Sequence, residues 1–376
     1  MRVAQFVTAD LPFPYPVGQV FASLDTTALL TDGLVRHGVE VDWFAAEGTK
    51  SLAKVKTLDI EPLRFIKDWE TFPQSKKNYI SVLYGAAFLS EIASKYEQYD
   101  VIHIHTFFLA LAFAKLMPKR PVLLTLHDPL MSSVVQRNFN LFKDLKNLHY
   151  VSISNNQRLG RTDLNYQATI YHGLNVSQLP WSDSPEDRWV FVGRVVQDKG
   201  AHIAVRIAQK AKIKLDIIGP NYLDEEVNSK YFNEQIKPHV DGNNIRYLGP
   251  KTRQELNDIY PKAKGFLFPL QWEEPFGLTV IEAMSAGTPT VTFKRGSMPE
   301  IIENGKTGYV VENEEEMVVA VSNISKISRD YCRQQALERF SAERVVSDYL
   351  TVYNKLISSN PFSSPSRSRF NLFGRR

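Results

Sequence analysis

Two hydrophobic rhythms alternate along this chain. Short, nearly continuous apolar runs occupy residues 2–7, 39–44, 101–105, 122–127 and 149–154. Between them lie stretches whose apolar residues recur every three or four positions; the clearest, 21–38, predicts a helix of about five turns. A strand that is apolar on both faces must be covered on both. Runs of this kind alternating with helices therefore predict a parallel sheet flanked by helices.

The same alternation restarts further on. Strands are expected at 189–192, 214–218, 245–248, 265–268 and 289–293, with a helix over 201–212. Between the two series, residues 172–186 are rich in Pro, Ser, Asp and Asn, and 173–186 reads as an interdomain linker. The expected fold class is α/β, with two Rossmann-like, doubly wound parallel-sheet domains facing a cleft and ligands at the carboxyl ends of the strands. The domains would be 1–172 and 187–340. The two halves share a pattern without sharing residues, so no internal repeat is claimed.

Composition narrows the class. At 376 residues the chain exceeds one ordinary domain, and 43% apolar with 23% charged residues is enough to fill real cores. The single cysteine, Cys332, has no partner for a disulfide or a thiolate metal site, which fits a reducing cytoplasm. The longest apolar run, 107–114, is far short of the ~20 residues a spanning helix needs, so the expectation is a soluble or at most peripheral protein. Net charge is +4, and the segment 361–376 holds Arg367, Arg369, Arg375 and Arg376 with no acidic side chain. With its Ser and Pro content, the end from 359 reads as a disordered basic tail, either simply solvated or making weak peripheral contact with an anionic membrane or a partner. The remainder is charge-balanced, which disfavours nucleic-acid binding.

The first chemical signal is the stretch QWEEPFGLTVIEAMSAG at 271–287. A turn Glu274-Pro275-Phe276-Gly277 precedes a helix of about ten residues that Gly287 ends. Within that helix Glu282 is the only ionisable residue, among Leu278, Val280, Ile281, Ala283 and Met284. A carboxylate so placed is costly unless it meets a polar partner. A vicinal diol is one, since a single carboxylate accepts from both hydroxyls, as at the ribose of dinucleotide sites. Glu274 sits ahead of the helix, where free backbone amides of Phe276, Gly277, Leu278 and Thr279 suit an anion or sugar hydroxyls. An amphipathic helix with a solvated Glu282 is the bland reading of the same residues.

The second signal is WVFVGRVVQDKG at 189–200. A strand ends at Gly193, Arg194 and Lys199 follow, and Gly200 opens a helix. Two cations and a helix start beside a strand's carboxyl end suit a diphosphate. Neither GxxxxGK[ST] nor GxGxxG is present, which argues against a Walker loop and a nicotinamide dehydrogenase. Asp-x-Asp is also absent, so no carboxylate-held divalent cation is expected, and neither a metal nor a cofactor is predicted. In the N-terminal half, His103 and His105 alternate on a strand and so share a face, and His127 ends the strand Leu124-Thr125-Leu126.

Gly193-Arg194, Lys199-Gly200 and Glu274-x7-Glu282 with Pro-Phe-Gly-Leu between resemble the retaining glycosyltransferases of the GT4 family, which have the GT-B fold. RGSMPEIIENGKTGYVV at 295–311 is similar to the family's Gly-x-x-Pro-Glu and Asn/Asp-Gly-x-Thr-Gly segments. Phe340-Ser341-x-x-Arg344 resembles the start of its last helix, expected over 341–358 and returning to the N-terminal domain. The resemblance implies transfer of a sugar from an NDP-sugar, with retention and without metal, to a small-molecule, glycan or lipid-linked acceptor. It assigns Arg194 and Lys199 to the donor diphosphate, Glu282 to the ribose, Glu274 to the sugar, and Gly219 and Leu248 to the walls around the base. It assigns His127, with His105 nearby, to the acceptor side of the reaction centre. Gly18 matches a glycine that lets backbone approach the phosphate; the family often has two there, and this chain has Gly18-Gln19. A GT-B-type nucleotide-sugar epimerase or hydrolase and a non-catalytic nucleotide-sugar-binding protein are the alternatives.

Overall fold

The computed structural model describes residues 1–16, 21–221 and 226–362. The chain divides into two compact units. One holds Met1–Ile153, Arg158–Ile170 and the segment from Ala342 onward; the other holds Ser154–Gln157 and Tyr171–Ser341.

The first unit is built on β1 (Arg2–Phe6), β2 (Glu40–Phe44), β3 (Lys54–Lys56), β4 (Val101–Ile104), β5 (Val122–Thr125), β6 (Leu148–Ser152) and β7 (Tyr166–Thr169). Their order is β3-β2-β1-β4-β5-β6-β7, with neighbours parallel. Strands β1, β4 and β5 are almost wholly buried, as their apolar runs require. The edge strands β3 and β7 escape the hydrophobic pattern because they are short, polar and only partly covered. Helix α1 (Ala22–Arg36) stops earlier than the periodicity suggests. There Gly38 takes φ +79, and its amide bonds the carbonyl of Val35, closing the helix end.

The second unit's sheet comprises β8 (Trp189–Val192), β9 (Leu215–Ile218), β10 (Ile245–Gly249), β11 (Phe266–Phe268), β12 (Thr290–Phe293) and β13 (Gly308–Val311), ordered β10-β9-β8-β11-β12-β13 and parallel. β13 has no long apolar run, so periodicity alone passes over it. Helix α2 (Ala201–Ala211) follows β8, and α3 (Leu278–Ser285) follows β11. α3 is eight residues long, against the ten or so expected from its sequence, with Ala286 as cap. Residues 173–186 lie in the second unit and are tied into it: Leu174 N–H donates to the Phe340 carbonyl, and the Ser182 carbonyl accepts from the Arg329 guanidinium. Arg329 starts α4 (Arg329–Phe340).

The last helix, α5 (Ala342–Ser359), belongs to the first unit. Val345, Val346, Tyr349, Val352, Tyr353, Leu356 and Ile357 form one stripe at helical spacing and are buried. Each fully buried apolar side chain of this size contributes about 1.5–3 kcal/mol relative to exposure. α5 lies close on α1 at Gly33, where an added Cβ would stand 2.3 Å from Val346 Cγ2. Among the described residues no helix is long and apolar enough to cross a membrane.

Candidate functional site

In the second unit the sheet order reverses between β8 and β11, so the loops after these two strands diverge to opposite faces and leave a crevice at their carboxyl ends. The loop after β8 carries Arg194 and Lys199; the loop after β11 carries Trp272, Glu273 and Glu274. They meet at Gly200, which has φ +78 and whose Cβ, if present, would lie 2.0 Å from the Pro269 carbonyl oxygen. Only glycine fits that approach.

This contact brings two predicted residues together. The Lys199 ammonium pairs with Glu274 Oε2, and both side chains are nearly buried, at 13% and 12% exposure. The Trp272 indole N–H donates to the same oxygen at 3.1 Å. The ammonium also stands 4.7 Å from the Trp272 ring centre and 5.7 Å from that of Phe268, within cation–π range. Arg194 is exposed and has no ion pair among the described residues. Gly277 (φ +94) is the N-cap of α3; its carbonyl accepts from the Val280 amide at 3.0 Å, and no side chain caps the first turn.

The loop 273–277 is held by residues whose role the sequence did not reveal. Gly296, at φ +55, packs against it so closely that a Cβ would fall 2.2 Å from the Glu274 carbonyl oxygen. The Gly296 amide donates to the Glu273 carboxylate at 2.7 Å, and the Ser297 amide to the Glu274 carbonyl at 2.9 Å. The Ser297 hydroxyl donates to the Phe276 carbonyl at 2.6 Å. Their only signal in the sequence was membership of the 295–311 motif.

Glu282 has protein partners that its sequence did not announce: the Tyr260 hydroxyl donates to Oε2 at 3.3 Å, and Arg253 Nη1 stands 3.8 Å from Oε1. Burial, then the adjacent Glu282 charge, drives the Tyr260 phenol well above its ordinary pKa. The cost of a lone carboxylate in an apolar helix is thus met inside the protein, and that cost alone does not call for a diol. At the ends of β9 and β10, Gly219 and Leu248 are neighbours in space: the Gly219 amide donates to the Gly249 carbonyl, and the Tyr247 hydroxyl to the Gly219 carbonyl at 2.9 Å.

The first unit has its own reversal, between β1 and β4. His105 lies just past β4 and His127 just past β5, and His105 Nδ1 is 3.1 Å from His127 Nε2. His103, on the same face as expected, has its ring centre 4.1 Å from that of His105. It is fully buried between the hydroxyls of Tyr353 (2.6 Å from Nδ1) and Thr125 (2.8 Å from Nε2). Burial pushes the pKa of His103 down to about 3 and that of His127 down to about 4, so both are neutral at physiological pH. Among the described residues no group of three His, Cys, Asp or Glu side chains is placed to hold a metal ion. Gly18 lies outside the described residues, as does the basic end from residue 363.

Comparison with known proteins agrees with this layout. A model for glycosyl transferases group 1 matches residues 182–343, and one for Glycosyltransferase Family 4 matches 26–163. Spore coat protein SA of Bacillus subtilis is 28% identical over 181 residues, covering 44% of this chain and 48% of that protein. An uncharacterized glycosyltransferase of Methanocaldococcus jannaschii is 24% identical over 293 residues, covering 74% and 81%. The matches span about half the length of the first curated relatives. Among solved structures, sucrose-phosphate synthase from Thermosynechococcus elongatus has a TM-score of 0.75 at 17% identity, covering 95% of this chain and 99% of that one. Anabaena HepE in complex with UDP and glucose has a TM-score of 0.66 at 18% identity, covering 95% and 99%. These likenesses establish the GT-B fold, and with one family model on each half, the chain belongs to the glycosyl transferases of group 1.

Proposed function

We propose that this chain transfers a glycosyl unit from an NDP-sugar to an acceptor hydroxyl, with retention of configuration and without a metal ion. The observation that carries this reading is the Lys199–Glu274 pair at the strand-order reversal, beside the start of α3, whose first turn no side chain caps. Glu274 Oε2 is engaged by Lys199 and Trp272, which leaves Oε1 to accept from a sugar hydroxyl. Lys199 keeps further N–H donors for the diphosphate, joined by exposed Arg194 and the α3 amides. Glu282, steadied by Tyr260, takes the ribose diol, with Gly219 and Leu248 beside the base. His105 and His127, in the first unit, are assigned to the acceptor side.

Glu274 acts here as a holder of hydroxyls. The bond from the anomeric carbon to the diphosphate breaks while the acceptor oxygen bonds the same face of that carbon. The acceptor's proton passes to the departing phosphate oxygen, and Lys199 and Arg194 stabilise the charge that develops there. HepE is described with UDP and with UDP-glucose, which favours a uridine donor as the first to try.

A thermal-shift screen against UDP-, GDP- and ADP-sugars tests the reading. One donor class should raise the melting temperature by several degrees, since a ligand at 100 times its Kd adds about 2.7 kcal/mol. Lys199→Ala should remove that rise. No stabilisation by any nucleotide sugar, or a rise indifferent to Lys199→Ala, defeats the proposal. Incubation with the stabilising donor alone separates transfer from the epimerase or hydrolase reading, because only the latter turns it over without an acceptor.

A further inference from the structure

A polar assembly buried in the first unit is unused by this mechanism. Its members come from β4, β5 and α5. His103 Nδ1 is 2.6 Å from the Tyr353 hydroxyl, and His103 Nε2 is 2.8 Å from Thr125 Oγ1. Thr125 Oγ1 is in turn 2.8 Å from the Tyr349 hydroxyl. All four side chains are buried. A neutral imidazole has one N–H and one bare nitrogen, and each hydroxyl serves one ring nitrogen, so together they fix the ring plane.

The ring so fixed is not isolated. Its centre is 4.1 Å from that of His105, at an angle of 39°, and His105 shares a hydrogen bond with His127 at 3.1 Å. Between His105 Nδ1 and His127 Nε2 only one proton fits, so the tautomer of one ring dictates that of the other. A ring fixed 4.1 Å from His105 and tilted by 39° to it limits how that imidazole can turn. The His105 plane then sets the direction along which His127 is met.

We propose that Tyr353 and Thr125, with Tyr349 behind Thr125, make His103 a positioning residue that orients the His105–His127 pair, so that helix α5 reaches the acceptor-side histidines through a buried imidazole. Its bearing on transfer rests on the assignment of His127 made above; the positioning itself does not. Sequence reading could pair His103 with His105 on one face, but nothing in it joined Tyr349 and Tyr353, more than two hundred residues away, to the same ring.

Nitrogen-15 spectra of the histidine side chains, taken on the full chain without ligand, test this directly. Tyr353→Phe and Thr125→Val each delete one hydroxyl at nearly constant shape. Both should displace the ring-nitrogen signals of His105 and His127 as well as those of His103. Tyr349→Phe, one bond further out, should act in the same direction more weakly, and serves if either of the others fails to fold. A merely structural role would lower the melting temperature and leave the His105 and His127 nitrogens in place, and that result overturns the proposal. Because the readout needs no donor, it stands apart from the sugar-transfer reading. If the nitrogens move and donor turnover does not fall, by about tenfold or at all, positioning holds and the assignment of His127 to transfer is what fails.

Discussion

Glu282 illustrates how far one residue can be read. Its isolation in an apolar helix demanded a polar partner, and the partners turned out to be Tyr260 and Arg253. The ribose role now depends on position and family, and on the fact that Tyr260 holds the carboxylate in one orientation. In the proposed site, Glu282→Ala removes two charge-assisted hydrogen bonds, each worth about 1.5–3 kcal/mol, so donor affinity should fall at least tenfold. Tyr260→Phe keeps the carboxylate but frees it, and the loss should be a few-fold. Calorimetry with UDP-glucose, or with the sugar nucleotide the screen selects, reads both. Equal affinities for all three proteins would remove Glu282 from the ribose.

The loops after β8 and β11 work as one element because Gly200 lets them touch. Neither loop alone makes the site; Lys199 comes from one and Glu274 from the other. Gly200→Ala forces a Cβ to within 2.0 Å of the Pro269 carbonyl, so the loops must part and the ion pair with them. Gly242→Ala is the comparison, since Gly242 shares the left-handed conformation (φ +75) but has nothing within 4 Å of an added Cβ. Gly242→Ala should cost only the backbone strain, about 1–2 kcal/mol, with donor binding intact. Gly200→Ala should cost more in denaturant unfolding, by about 1–3 kcal/mol of overpacking, and should lose donor binding. Matching losses in the two variants would mean that the loop contact does not hold the site.

At the scale of the molecule, the buried histidines tie stability to pH. Burial lowers the pKa of His103 to about 3 and of His127 to about 4; burial, then the Lys355 charge, lowers that of His149 to about 4. The unfolded chain, with histidines near 6.5, binds these protons first as pH falls, so the stabilisation is whole above about 6.5 and drains away below it. Each proton taken up on unfolding steepens the loss by about 1.4 kcal/mol per pH unit. Denaturant midpoints should therefore fall between pH 7 and pH 4.5. His103→Gln should make that slope shallower by one proton; an unchanged slope would mean that His103 titrates normally.

The alternation of strand and helix, the two parallel sheets, and the loops that carry Arg194, Lys199, Glu274 and Glu282 were legible in the amino-acid order. These follow from local rules: apolar runs must be covered, and glycines and helix starts mark where backbone turns. Short polar edge strands such as β3 and β7 lay beyond those rules, because three or four partly covered residues are too few and too polar to show a hydrophobic period. Tertiary structure alone decided which residues meet. The Lys199–Glu274 pair, the Gly296–Ser297 clamp on the 273–277 loop, and the joining of Tyr349 and Tyr353 to His103 all link side chains far apart in the chain. No periodicity encodes such contacts. They arise only when the strand order reverses and brings separate loops to one edge, or when a last helix returns to the first sheet.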